Sequence, residues 1–151
     1  MFDVVEINKD SEELAILVGE LDAFQSTLYP AESNHCLDFS TVNEEDIRCI
    51  IVRDDKGEAM GCGAIFLQGD SAAEIKRVYI RPQYRGNKIG ERIVSSLEQL
   101  AVQSACRVLR LETGIRQQPA ITLYQRCGYQ LCDPFPPYQE DPLSVFMYKA
   151  L

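Results

Sequence analysis

Residues 73–103 place a strand, a basic glycine-bearing turn and an amphipathic helix in immediate succession, and this junction constrains the fold more than any other segment. Ala73–Ile80 has strand character and Pro82 ends it. Ile89, Ile93, Leu97, Leu100 and Ala101 then recur at spacings of three and four, which predicts a helix over Ile89–Gln103 with one buried stripe. Between them stands Arg85-Gly86-Asn87-Lys88-Ile89-Gly90. A helix that starts there leaves its first backbone N–H groups without helical acceptors, and the helix dipole favours an anion at that end. Gly86 and Gly90 carry no side chain, so a diphosphate is expected to approach the main chain closely. The turn is neither a Walker A loop, since no G-K-[ST] closes it, nor a dinucleotide fingerprint, since G-x-G-x-x-G is absent.

The rest of the chain alternates in the same manner. Phe2–Ile7 reads as a strand; Ser11 and the acids Glu12 and Glu13 open a helix carrying Leu14, Leu17, Val18 and Leu21, which ends before Pro30. Asp46–Arg53 and Glu58–Gln68 are strands joined by Asp54-Asp55-Lys56-Gly57, and Gly61 and Gly63 in the second predict a bulge or close packing. Arg107–Glu112, a helix across Pro119–Arg126, then Tyr129–Cys132 and Ser144–Lys149 complete the order β-α-β-β-β-α-β-α-β-β. The expectation is a single α/β domain over residues 1–151, with a mixed, mostly antiparallel twisted sheet flanked by helices. Period-two alternation would put Glu74, Lys76, Val78 and Ile80 on one face of their strand.

Charge narrows the ligand. The chain carries a net −8, which disfavours nucleic acid. Residues 1–60 hold 15 acids and 4 bases, whereas residues 76–92 hold six bases against Glu91 alone. A basic island on an acidic chain fits a small phosphate-bearing ligand met at one place. Six cysteines are scattered without a C-x-x-C pair, and the one histidine, His35, adjoins Cys36. That spacing does not suit zinc, so no metal is expected and the thiols are read as reduced and mostly structural. No run approaches the roughly 20 apolar residues of a membrane span, and no basic segment precedes an apolar stretch at the N-terminus. The expected location is cytoplasmic, without membrane association.

The segments V-Y-I-R-P-x-x-R-G-x-x-I-G (from Val78) and A-I-x-L-Y-x-x-x-G-Y (from Ala120) together resemble the GNAT superfamily of acetyl-CoA-dependent N-acetyltransferases. The element order agrees over most of the chain. By that resemblance Arg85, Gly86, Asn87, Lys88, Ile89 and Gly90 form the pyrophosphate loop, with Lys88 replacing the family's middle glycine at a cost in φ > 0 freedom. The backbone of Val78, Tyr79 and Ile80 would pair with the pantetheine arm, and the Val78 N–H would polarise the thioester carbonyl. Tyr124 matches the tyrosine that protonates the departing thiolate, and Gln117 falls at a cofactor-touching position that is often Asn. Glu74 stands where some members place a general base; the other reading is a glutamate salt-bridged to Lys76 or Arg77. Tyr129 reads as core.

The resemblance implies N-acetylation of a primary amine by direct attack on acetyl-CoA in a ternary complex, without an acyl-enzyme, because no second histidine exists to activate a cysteine. The acceptor, a small-molecule or protein amine, would enter beside residues 24–40, where Phe24, Tyr29, Glu32, Ser33 and His35 offer a polar and aromatic surface. The acidic first 60 residues favour a cationic acceptor. The alternative class is a GNAT-fold module that senses acyl-CoA or binds a protein without turnover. The chain would be a monomer or a homodimer.

Overall fold

A computed structural model of the chain describes residues 2–29 and 39–151. The elements are β1 (Phe2–Ile7), α1 (Glu12–Ser26), β2 (Ile47–Asp54), β3 (Ala59–Gly69), β4 (Ala72–Ile80), α2 (Ile89–Gln103), β5 (Val108–Gly114), α3 (Gln118–Arg126), β6 (Gln130–Leu131) and β7 (Ser144–Ala150), with short 3₁₀ turns before β2 and after β4. Element order and the bounds of α2 are those expected; β6 is shorter, with only two residues on the ladder. Of the stretch 24–40 expected to face the acceptor, residues 30–38 lie outside the described residues, and with them Glu32, Ser33, His35 and Cys36.

One sheet of seven strands runs in the order β1-β2-β3-β4-β5-β7-β6. All neighbours are antiparallel except β4 and β5, which pair in parallel over Ala72–Ile75 and Val108–Leu111. Parallel neighbours need a crossover, and α2 supplies it. Its stripe, including Ile93, Val94 and Leu97, packs with α3's Leu123 on the face that presents Ile50, Val52, Ile65, Ile75 and Leu111. On the other face Leu14, Leu17 and Leu21 of α1 pack on Cys49, Ile51, Cys62, Ala64 and Tyr79. Helix α1 opens as the sequence predicts, with the Ser11 side chain accepting from the Leu14 N–H at 3.5 Å.

Two features of β4 shape the site. Beyond Ile75 and Leu111 its ladder with β5 stops, so the strands part while β4 stays on β3 and β5 stays on β7. A bulge also interrupts β4: Lys76 faces Ala64 and Tyr79 faces Cys62, leaving Arg77 and Val78 opposite Gly63 alone. Arg77 has φ +59° there, and the Cys62 thiol donates to its carbonyl at 3.3 Å. This corrects the expected alternation. Val78 and Ile80 pack into the α2 face, but Glu74 pairs with Phe66 and so shares the α1 face. Gly63 answers the glycine expectation directly, because a Cβ would sit 2.8 Å from Ile93 Cγ2.

Candidate functional site

The parted strands open a cleft of about 710 Å³. Its walls are Val78, Tyr79 and Ile80 from β4, residues 84–91 except Asn87, and Arg116, Gln117, Pro119, Ala120, Leu123, Tyr124 and Arg126 around α3. Leu21, Phe24 and Leu28 of the α1 segment close it on the other face of the sheet.

At the phosphate-loop end, Lys88 caps α2 in the left-handed region at φ +58°, and Gly86 has φ +87°. The lysine thus adopts the conformation for which the expected glycine is suited. The first helical bond runs from the Arg92 N–H to the Lys88 carbonyl, so the amides of Ile89, Gly90 and Glu91 have no helical acceptor. Arg85 is anchored by its Nε to the Ile80 carbonyl at 3.1 Å. Asn87 departs from the expectation: its side chain leaves the cleft wall and donates to the Tyr84 carbonyl at 3.0 Å, which fixes the turn. Gly90 lines the cleft and also serves the packing of two helices. A side chain there would meet Leu123 Cδ2 at 2.8 Å and Cδ1 at 3.2 Å, so its bareness lets α3 pack against α2.

Five of the six bases of the island fall into two groups. Arg81 forms a two-pronged ion pair with Glu20 of α1, at 2.8 and 3.1 Å, and Arg77 pairs with Asp22. Lys76 lies 3.0 Å from Glu74. These three cations are engaged on the α1 face. The cleft instead carries Arg85 and Lys88 from the island together with Arg116 and Arg126. The last two were missed from sequence because each stands alone; only their position signalled them, Arg116 just before the second motif and Arg126 within it. Among the described residues Glu91 is the one acidic lining group, 3.3 Å from Arg126.

Tyr124 is 6% exposed, stacks edge-on to Tyr129 at 5.8 Å, and lines the cleft. Burial raises its pKa, with the nearby Cys127 and Glu112 adding to the effect, so the phenol keeps its proton at neutral pH. Tyr129 is core, its hydroxyl donating to Glu98 at 2.9 Å. Gln117 lines the cleft, but its Oε1 accepts from the Gly114 N–H at 3.1 Å and faces the Thr113 hydroxyl at 3.3 Å, which shapes the β5–α3 turn.

Glu74 lies apart from these groups. It is 1% exposed, outside the cleft wall, and enclosed by Gln68 Nε2 at 3.1 Å, the Tyr138 hydroxyl at 2.5 Å and Lys76. Lys76 also donates to Tyr138, which packs with Phe135 and Phe146 on the α1 face. Among the described residues no cluster of three or more His, Cys, Asp or Glu is placed to hold a metal, and no helix is long and apolar enough to cross a membrane. The five cysteines among the described residues are free thiols, and burial pushes Cys49 and Cys62 up to about 12.

The sheet thus splits between its parallel pair, and a helix start with bare amides stands at the mouth of the split, an arrangement that other proteins share. The profile of the Acetyltransferase (GNAT) family matches residues 13–129, and the chain belongs to that family. A protein of Azospirillum brasilense called IAA acetyltransferase is 43% identical over 136 residues, covering 89% of this chain and 88% of its own. The structure of a Klebsiella pneumoniae protein assigned as an acyl-CoA N-acyltransferase superposes with TM-score 0.91 at 45% identity, covering 100% of this chain and 98% of the other. The paia N-acetyltransferase of Thermoplasma acidophilum, determined in complex with coenzyme A, shares the fold at TM-score 0.74 and 16% identity, covering 100% and 99%. This protein is accordingly an N-acetyltransferase-type enzyme acting on amine acceptors.

Proposed function

We propose that the protein moves an acetyl group from acetyl-CoA to a primary amine by direct attack in a ternary complex. The observation that carries this reading is the continuity of one cleft from the free amides of α2 to Tyr124, along the edge of β4 that β5 has left. In this reading Arg85, Lys88 and the first amides of α2 hold the diphosphate of the donor, whose thioester supplies the activated acyl carbon. The open edge of Val78–Ile80 offers main-chain partners to the pantetheine amides, and the Val78 N–H meets the developing oxyanion. A new C–N bond forms as the C–S bond breaks. Tyr124, kept protonated by burial, gives its proton to the departing sulfur. Solvent entering from the α1 face takes the amine proton, because Glu74 is enclosed by Gln68, Lys76 and Tyr138.

Calorimetric titration with acetyl-CoA, with free CoA and ATP as controls, tests this reading. The expected result is one site per chain for acetyl-CoA and no comparable binding by ATP, followed by mass-spectrometric detection of acetylated amine. Equal binding by ATP, or none by acetyl-CoA, overturns it.

A further inference from the structure

Leu14, Leu17, Leu21, Phe24 and Leu28 follow one another at alternating steps of three and four and therefore form a single stripe along α1 and its last turn. The first three are buried against the sheet, at 1%, 0% and 5% exposure. The stripe then runs past the edge of β4 and over the cleft, where Phe24 is 41% exposed and lines the wall beside Leu28. An apolar stripe that continues beyond the surface it packs on marks a place for a second apolar body.

The charges of α1 point the same way. Glu20 and Asp22 flank this stretch, yet they are held by Arg81 and Arg77, and Glu13 by Arg53 at 2.5 and 2.7 Å. Three of the four acids of α1 are thus engaged in fixing it to the sheet, and no acid of α1 lines the cleft. The nearest charged lining group is Arg116, which donates through its backbone N–H to the Tyr29 hydroxyl at 2.9 Å and through its guanidinium to the Leu28 carbonyl at 2.5 Å. Among the described residues this wall holds an arginine and no free carboxylate, so a polyamine would bring its extra positive charge up to a cation.

Resting on the donor assignment above, we infer that the acceptor is a primary amine borne on a flat apolar body, with no second cationic group, whose ring packs against Phe24 and Leu28. The donor occupies the α2 side of the split, so the α1 side is the remaining approach to the reacting carbon. Phe24 is then a specificity residue, and burying its exposed face accounts for the selectivity.

The test compares phenethylamine with spermidine on the wild-type protein and on Phe24→Ala, following acetylated product by mass spectrometry, with a Phe24→Leu variant as conservative rescue. Wild type should favour phenethylamine by at least about tenfold in kcat/KM, equivalent to about 1.4 kcal/mol. Phe24→Ala should lower that value about tenfold through KM, leave the spermidine value within about twofold and leave the acetyl-CoA KM unchanged, and Phe24→Leu should recover most of the loss. Preference for spermidine, equal loss on both amines, or turnover of neither by a protein that binds acetyl-CoA overturns the inference. A protein that does not bind acetyl-CoA fails at the earlier step, and the titration separates that outcome.

Discussion

Gly90 tests whether the glycine serves the ligand or the packing of two helices. Replacing it by alanine places a methyl 2.8 Å from Leu123 Cδ2, 3.2 Å from Leu123 Cδ1 and 3.4 Å from Ile80 Cδ1. Leu123 is 9% exposed, so its tips have little room to yield. Overpacking of this kind costs about 1–3 kcal/mol, and the helix preference of alanine over glycine returns about 1 kcal/mol. The expected net loss is therefore about 1 kcal/mol. Leu123→Ala alone should cost about 2–5 kcal/mol by opening a cavity. In the double variant the new methyl partly occupies that cavity, so the combined loss should fall short of the sum by about 1 kcal/mol. Urea unfolding measures all four proteins, read as shifts of midpoint at constant slope. Additivity within about 0.5 kcal/mol would refute the contact. Folded Gly90→Ala should bind acetyl-CoA within about twofold of wild type. Intact stability with collapsed affinity would assign the bare position to the ligand instead.

Three further outcomes follow from other parts of the molecule. Tyr124→Phe should lower kcat by about 10²-fold with little change in acetyl-CoA affinity, measured by initial rates and calorimetry, because it removes only the proton donor. The Arg81 guanidinium holds the Glu20 carboxyl below its ordinary value near 4.5, so this pair contributes stability above that pH and loses it as pH falls through the lowered value. Glu20→Gln should then cost about 0.5–1 kcal/mol at pH 7 and much less near pH 3, by urea unfolding at both. Burial pushes the Cys49 and Cys62 thiols up to about 12, so iodoacetamide at pH 8 should leave both unmodified in the native protein and label them after unfolding, as peptide mass spectrometry would show.

The legible parts of the sequence were those governed by local periodicity. The α2 stripe gave both helix ends, and Gly61 and Gly63 marked a departure in β3 that the register confirms. The side of β4 on which Glu74 lies was hidden, because one inserted residue reverses a period of two and Arg77 adopts its positive φ without glycine to signal it. The insertion of β7 between β5 and β6 depends on long-range pairing that no local pattern encodes. The junction at 85–90 was legible as a glycine-bearing helix start, but the packing duties of two of its residues were not. Asn87 fastens the turn and Gly90 admits Leu123, contacts set by elements 3 and 33 residues away. The partition of the basic island was equally out of reach, since the acids that engage Arg77 and Arg81 lie on α1, more than 50 residues earlier.

That partition has a consequence for how a polyanion finds the protein. Among the described residues, Arg85, Lys88, Arg116 and Arg126 against Glu91 give the cleft wall +3, so with a chain total of −8 the rest of the chain carries −11. Two fields of opposite sign and different reach therefore surround the molecule. At about 0.01 M salt the screening length is about 30 Å, and an approaching polyphosphate meets the repulsion of the whole body. At about 0.15 M it is about 8 Å, the distant acids fade, and the ligand responds chiefly to the cations at the mouth. Encounter is thus tuned to physiological ionic strength: diluting the salt slows capture from afar while it tightens the grip once contact is made.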